Sequence, residues 1–320
     1  MPSRYTVGPL DFSALKTVPL ESRGGKVRAE DFATPYQRGS GVGAWLSSLP
    51  RILAGDSLRE AVEAIRRARL GRRQIVWGIG GHVIKCGLAP VLLDLMHKGW
   101  ATVFAMNGAA SIHDFEIAIA GHTSEDVEAA LPGGRFGSAE ETGREMNQAI
   151  ASGDERSLGI GESLGERLEA IADTRYAASS LLLGAYRNST PATVHVAVGT
   201  DTPHTHPSAR PAAIGSATHR DFRLFCSLIA GLNDGGVYLN AGSAVVMPEV
   251  FLKAVSAVRN LGIPLANFTT INLDFLQHYR PRVNVVERPH AGGRGRGVAL
   301  TGHHEILLPL LAAALIESEP

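Results

Sequence analysis

The chain has 320 residues, 44% of them apolar, and 31 basic residues balance 31 acidic ones. That apolar share can fill an ordinary core, which argues against disorder, and the even charge offers no field to hold nucleic acid or an anionic membrane. With two cysteines, Cys86 and Cys226, in no CxxC or other metal-type spacing, no signal-peptide run at the start and no stretch of roughly 18 to 20 apolar residues, the expectation is a cytoplasmic protein without disulfides or a membrane span.

Residues 1–45 are rich in Gly, Pro and Ser with little periodicity and read as an arm that packs on the body or on a neighbouring subunit. Leu58, Val62, Ile65 and Leu70 then recur on one helical face, with Ser57 as the expected N-cap. From residue 74 one pattern occurs twice. QIVWGIGGHVIKCGLAPVLLDLMHKG and WATVFAMNGAASIHDFEIAIAG each run from a short apolar strand through a glycine-containing turn into an amphipathic helix. Tandem units of this kind build a parallel sheet with its turns at the carboxyl ends of the strands, where small ligands bind.

Residues 123–173 are polar and punctuated by glycine, with helices expected around 139–151 and 162–171 as excursions over the sheet. Alternation then resumes: helix 175–186, strand 193–198, helix 217–232, strand 236–240, helix 248–260 and strand 267–273. A strand near 282–286 and an apolar helix over 305–316 complete the series. Strands alternating with helices predict an α/β fold, a Rossmann-like doubly wound parallel sheet flanked by helices.

Chemistry gathers at the turns. Gly80 and Gly81 in WGIGGHVIK would let backbone N–H groups approach an anion, although neither a Walker lysine nor a full G-x-G-x-x-G is present. The turn MNGAASIHDFE crowds Asn107, His113, Asp114 and Glu116 beside an apolar strand. Asp114 and Glu116 are too close in sequence to share a helix face, so one is expected to point at a ligand while the other caps or faces solvent. After TVHVAV comes GTDTPHTHPS, whose Asp201, His204 and His206 sit where an active site on this architecture would lie. The His204-x-His206 pair also permits a metal-dependent hydrolase, without a clear third ligand. NAGSAVVMPE and TGHHEILLP supply two further turns. The run GGRGRG, residues 292–297, reads as a mobile solvent loop.

The order of NGAASIHDFEIAI, VGTD, NAGSAVVMPEVFLKAVSAVRN and TGHHEILLPLLAAALIE resembles that in deoxyhypusine synthase and its bacterial relatives, over some 250 residues. The resemblance implies one Rossmann-like domain over residues 46–320, bound NAD and a homotetramer with active sites at dimer interfaces. It places Asn107, Gly108, Ala109 and His113 along NAD, Asp201 at the cofactor and amine site, Gly242 and Ser243 against cofactor, and His303 at a ribose position. In that family an enzyme lysine in a Trp-Gly-Lys step forms an imine with the aminobutyl group. Here DFLQHYRPRVNVVERPHAGG contains no lysine, and an arginine cannot replace the amine nucleophile.

The expected function is therefore an NAD-dependent oxidoreductase or transferase acting on a small amine or polyamine-type substrate without a lysine imine. Asp114, Asp201, His204 and Glu249 are its candidate bases and amine-holding groups. A catalytically silent NAD-binding scaffold is the alternative from another class.

Overall fold

The computed structural model describes residues 4–319, so the first three residues of the arm and the final residue of the domain lie outside it. Between Arg4 and residue 40 the arm makes only two 3-10 turns, Leu20–Arg23 and Ala29–Asp31, and is pinned to the body where Thr34 N–H donates to the Ser48 carbonyl and Arg51 N–H to that of Asp31. Helix α1, Gly41–Ser48, spans the expected boundary at residue 45. Its carboxyl end is closed by the Arg59 guanidinium, which donates to the carbonyls of Leu46, Leu49 and Pro50.

Helix α2 covers Leu53–Leu70, which places Ser57 inside the helix rather than at its N-cap. Its stripe of Leu58, Ala61, Val62, Ile65 and Ala68 is buried as the periodicity requires, whereas Leu70, the last residue of the helix, is exposed. Strand β1, Ile75–Ile79, leads into α3, Gly81–Lys85, and α4, Ala89–His97, which are separate helices because Gly87 takes a left-handed φ of 74° between them. The second unit is β2, Val103–Asn107, and α5, Gly108–Ala120, with the Asn107 side chain accepting from Ala110 N–H as N-cap.

The excursion contains α6, Val127–Ala130, α7, Glu140–Glu155, and α8, Ile160–Ile171. A short α9, Leu181–Arg187, takes the place of the expected helix over 175–186, because Ser180 caps it and the residues before it form a 3-10 turn. Then follow β3, Ala192–His195, α10, Pro211–Ala230, β4, Gly236–Ala241, α11, Val246–Asn260, and β5, Phe268–Asp274.

The expected strand near 282–286 is absent. Tyr279–Pro281 forms a helical turn, α12, and Arg282–Glu287 is π-helical. The last strand is β6, Arg296–Thr301, followed by α13, His304–Glu317. A run as short as VNVV cannot be assigned by periodicity, whereas β6 alternates buried Val298 and Leu300 with exposed neighbours as a one-faced edge strand does. Arg296 and Gly297, read from sequence as part of a solvent loop, belong to that strand.

The six strands are all parallel in the order β3-β2-β1-β4-β5-β6. This is the doubly wound Rossmann-like arrangement, with its topological switch between β1 and β4. One face of the sheet, with Trp77, Phe104, Met106, Leu239 and Ile271, packs under α2, α4, α5, α8 and α13. The other, with Val76, Val103, Ala105 and Tyr238, packs on Phe225, Ile229, Phe251 and Val255 of α10 and α11. Tyr238 and Phe251 stack there with ring centroids 3.8 Å apart. Among the described residues, no helix is long and apolar enough to cross a membrane.

Candidate functional site

A cavity of about 1020 Å³ opens at the carboxyl edge of the sheet, between α5, the 122–142 segment and the loop after β3. Its floor is α5, which exposes Ala109, Ile112, His113 and Glu116 along one helical face at spacings of three and four. His113 Nδ1 lies 2.7 Å from Thr123 Oγ1, Thr123 donates its hydroxyl proton to Glu116, and Thr142 donates to the second Glu116 oxygen at 3.1 Å. A threonine hydroxyl has one proton, so Thr123 accepts from His113 Nδ1–H, and the Nε2 lone pair is left to act as a base. Burial, reinforced by the positive charge of Lys85, pushes the His113 pKa down to about 4 and keeps the ring neutral near pH 7.

Across the cavity stands Asp201, buried, with Oδ2 accepting from Ala197 N–H at 2.7 Å. Its carboxylate lies against Gly108, and a Cβ at that position would occupy the same space. Burial raises the Asp201 pKa, an effect offset in part by the Ala197 hydrogen bond and by His204. His204 does not line the cavity; it is half-buried behind Asp201, and its Nδ1 has no partner among the described residues. Of the five lining carboxylates, Glu145 is already paired with Arg144 and Arg167, and the other four, Glu116, Glu125, Glu141 and Asp201, face two lining cations, Lys85 and Arg135. No ion pair is formed by either cation among the described residues.

The candidate residues read from sequence are dispersed over several places. Ala109, His113 and Asp201 meet in this cavity. Asp114 does not reach it: the side chain is fully buried on the opposite side of α5, accepting from Ser180 Oγ at 2.6 Å, Leu181 N–H at 2.6 Å and Leu182 N–H at 3.0 Å. It caps the amino end of α9, and Glu116 is the member of the pair that faces the cavity. Glu249 opens α11 on the other face of the sheet, where it accepts from Asn284 at 2.9 Å and pairs with Arg280 and Lys253. The His204 and His206 pair does not converge as ligands, since His206 is engaged by Ser208 at Nδ1 and by Glu140 at Nε2. Asn107 is engaged as the α5 cap and Gly108 lies beneath Asp201.

Gly80, Gly242, Ser243 and His303 cluster instead near the switch between β1 and β4. The glycine turns there are closed on each other. A Cβ on Gly80 would run into the Gly242 carbonyl, and one on Gly81 would press on Ala109 and His113 at 3.1 Å. The packing of the two turns and of α5 therefore requires glycine at both positions, and the Gly80 N–H is engaged by the Ala241 carbonyl at 2.9 Å. Ser243 is buried, its Oγ accepting from Met247 N–H at 3.1 Å, and exposed His303 stacks on Phe275 with centroids 6.1 Å apart. Beside them lie His82, Cys86, His304 and Glu305, which sequence reading did not connect. Burial and the neighbouring Glu305 raise the Cys86 pKa, so the thiol stays protonated near neutral pH.

The residues missed in the cavity come mainly from the 123–173 excursion. Thr142 and Glu145 are polar residues buried on the inner stripe of α7 with Met146, Ala149 and Ile150. Polar residues on an otherwise apolar helical stripe were the available signal.

No protein-family model matches this chain, and no curated protein matches it in sequence. Solved structures do match. ArgZ, an arginine dihydrolase from the ornithine-ammonia cycle in cyanobacteria, aligns over 84% of this chain and 34% of its own at 17% identity and a TM-score of 0.50. AgrE, solved as a ternary complex with ornithine and NAD+, aligns over 81% of this chain and 32% of its own at 17% identity and 0.52. A structure described as a deoxyhypusine synthase from Entamoeba histolytica aligns over 89% of this chain and 97% of its own at 12% identity and 0.50. The chain spans about a third of the length of ArgZ and AgrE. At these identities the likeness establishes a common fold.

Proposed function

We propose that the protein is an NAD-dependent enzyme acting on a small amine, with the amine seated between His113 and Asp201. The observation that carries this reading is the cavity itself, which sets a neutral histidine base among carboxylates that outnumber cations. Such a lining suits a cationic ammonium group and supplies the group that removes its proton. The fold it shares with AgrE, which was solved with ornithine and NAD+, supports the cofactor and the substrate class.

The cavity volume is of the size that encloses a large ligand, and the two cations without ion-pair partners among the described residues, Lys85 and Arg135, match the double charge of a pyrophosphate. These residues, with Ala109 and His113, would hold the dinucleotide, which when bound supplies a hydride acceptor. His113 Nε2 takes the proton from the substrate ammonium. Thr123 and Glu116 fix the imidazole and stabilise the imidazolium as it forms, the orienting role a carboxylate plays behind a catalytic histidine. Asp201 holds the amine by charge. With no lysine between β5 and β6, these steps proceed without an imine at the position the family resemblance would give.

Calorimetric titration of NAD into the purified chain tests the cofactor, with Lys85→Ala and Arg135→Ala each expected to weaken binding about tenfold, the equivalent of about 1.4 kcal/mol. Reduced-cofactor absorbance with polyamines, ornithine and other amino acids then tests the chemistry. Absence of NAD binding overturns the proposal, and binding without turnover of any amine leaves the silent scaffold in its place.

A further inference from the structure

Outside the cavity, α3 and α13 bring together three side chains that nothing in the proposed amine chemistry uses. His82 and Cys86 are four residues apart and therefore share a face of α3 and its C-terminal residue, while Glu305 lies in the first turn of α13. One ligand atom from each of the three lies within 4.8 Å of the others. Cys86 Sγ is 3.3 Å from His82 Nε2 and 3.7 Å from Glu305 Oε2. Tetrahedral zinc with the usual metal–sulfur, metal–nitrogen and metal–oxygen lengths separates its ligand atoms by roughly 3.5 Å. Among the described residues this is the one group of three His, Cys, Asp or Glu side chains that converges in this way.

A second observation lies beside it. His304 is fully buried, its ring 5.3 Å edge-on from that of His82, with Nε2 held by the Leu273 carbonyl at 3.1 Å and Nδ1 without a partner among the described residues. An imidazole nitrogen is thus unspent next to the cluster. From this geometry we propose that His82, Cys86 and Glu305 form a binding site for a divalent cation of the zinc class. A thiolate, imidazole and carboxylate set selects borderline metals over magnesium or calcium. Three protein ligands with two of them exposed leave a position open to water or to an incoming ligand, as in catalytic rather than structural zinc sites. His304, beside the site, lies against Gly242, whose turn meets that of Gly80 at the sheet's switch point.

Metal binding is measured without NAD or amine, so this inference stands or falls separately from the proposed function. The untagged full chain, stripped with chelator, is titrated with zinc chloride alone by calorimetry, and its cobalt(II) form is examined by absorption spectroscopy. The expected result is one zinc per chain, a raised thermal midpoint with zinc, and a thiolate-to-cobalt charge-transfer band. Cys86→Ser, His82→Ala and Glu305→Gln should each weaken zinc binding by more than about tenfold, and Cys86→Ser should abolish the band. Because these side chains are exposed or half-exposed, circular dichroism of the variants should match that of the parent. His206→Ala, in the other histidine pair, should bind zinc as the parent does. No zinc uptake at micromolar concentration, or uptake retained in a Cys86→Ser, His82→Ala double variant, overturns the site.

Discussion

Two acids a single residue apart on α5 have opposite tasks, and their side of the helix decides which. Asp114 points into the core, where three donors at the start of α9 surround its carboxylate. Asp114→Ala leaves those donors unpaired and should lower stability by about 2–3 kcal/mol in urea titration, while NAD affinity stays within about twofold. Glu116 points into the cavity and orients His113 through Thr123. Glu116→Gln should reduce amine-dependent kcat/KM by at least about tenfold, and His113→Ala by about a hundredfold or more, with thermal midpoints near that of the parent. A Glu116→Gln enzyme of full activity would remove Glu116 from the base relay.

Elements meet through side chains and glycines rather than through helix dipoles alone. Asp221 of α10 accepts from Gly161 N–H at 2.9 Å and Val194 N–H at 2.8 Å, tying the amino end of α8 to β3. At the switch point the β1 turn and the β4 turn touch, backbone to backbone, at Gly80 and Gly242. No flexible side chain can give way there. Gly80→Ala should therefore cost about 1–3 kcal/mol, read as a lowered denaturation midpoint, even in protein that binds no ligand. An unchanged midpoint would mean that the two turns are held apart in solution.

For the whole molecule, buried titratable groups set a balance with pH. Burial lowers the pKa values of His113 and His290 to about 4 and of His195 to about 3. As pH falls below the ordinary histidine value of about 6.5, the unfolded chain takes up these protons and the folded protein does not, so stability is lost between about 6.5 and 4. Burial raises Asp114 to about 6 and Asp221 to about 7, and these act in the other sense: their contribution is present in acid and is lost as pH rises through those values. Burial likewise lowers His204 and His304 and raises Asp201, so five groups act against three and the unfolding free energy from urea titration should fall from pH 6.5 to pH 5. A higher value at pH 5 would show that the carboxyls dominate. The arm adds an expectation about assembly, because Phe12, Leu15, Val18 and Phe32 are 61–69% exposed on the single chain. Sedimentation velocity should find an oligomer, and removal of residues 1–36 should shift it to smaller species.

The sequence by itself determined the layered α/β architecture, because strands buried on both faces and helices with one apolar stripe announce themselves by periodicity, and the tandem units at β1 and β2 carry that signal most strongly. It also marked the turns at Asn107, Asp201, Gly242 and His303 as the chemically rich ends of the strands. Periodicity failed at VNVV, where four residues are too few to separate a strand from a π-helical turn and where β6 lay hidden in a glycine-rich run. Only the tertiary structure decided which polar residues face one another. Glu116 and not Asp114 reaches the cavity because one helical face of α5 packs on α9 while the other lines the opening. Thr123, Thr142 and Glu145 join from the excursion after α5, and Glu305 meets the neighbouring His82 and Cys86 from 219 residues beyond the cysteine. Contacts between distant segments depend on how helices pack over the sheet, and local spacing in one sequence carries no record of that packing.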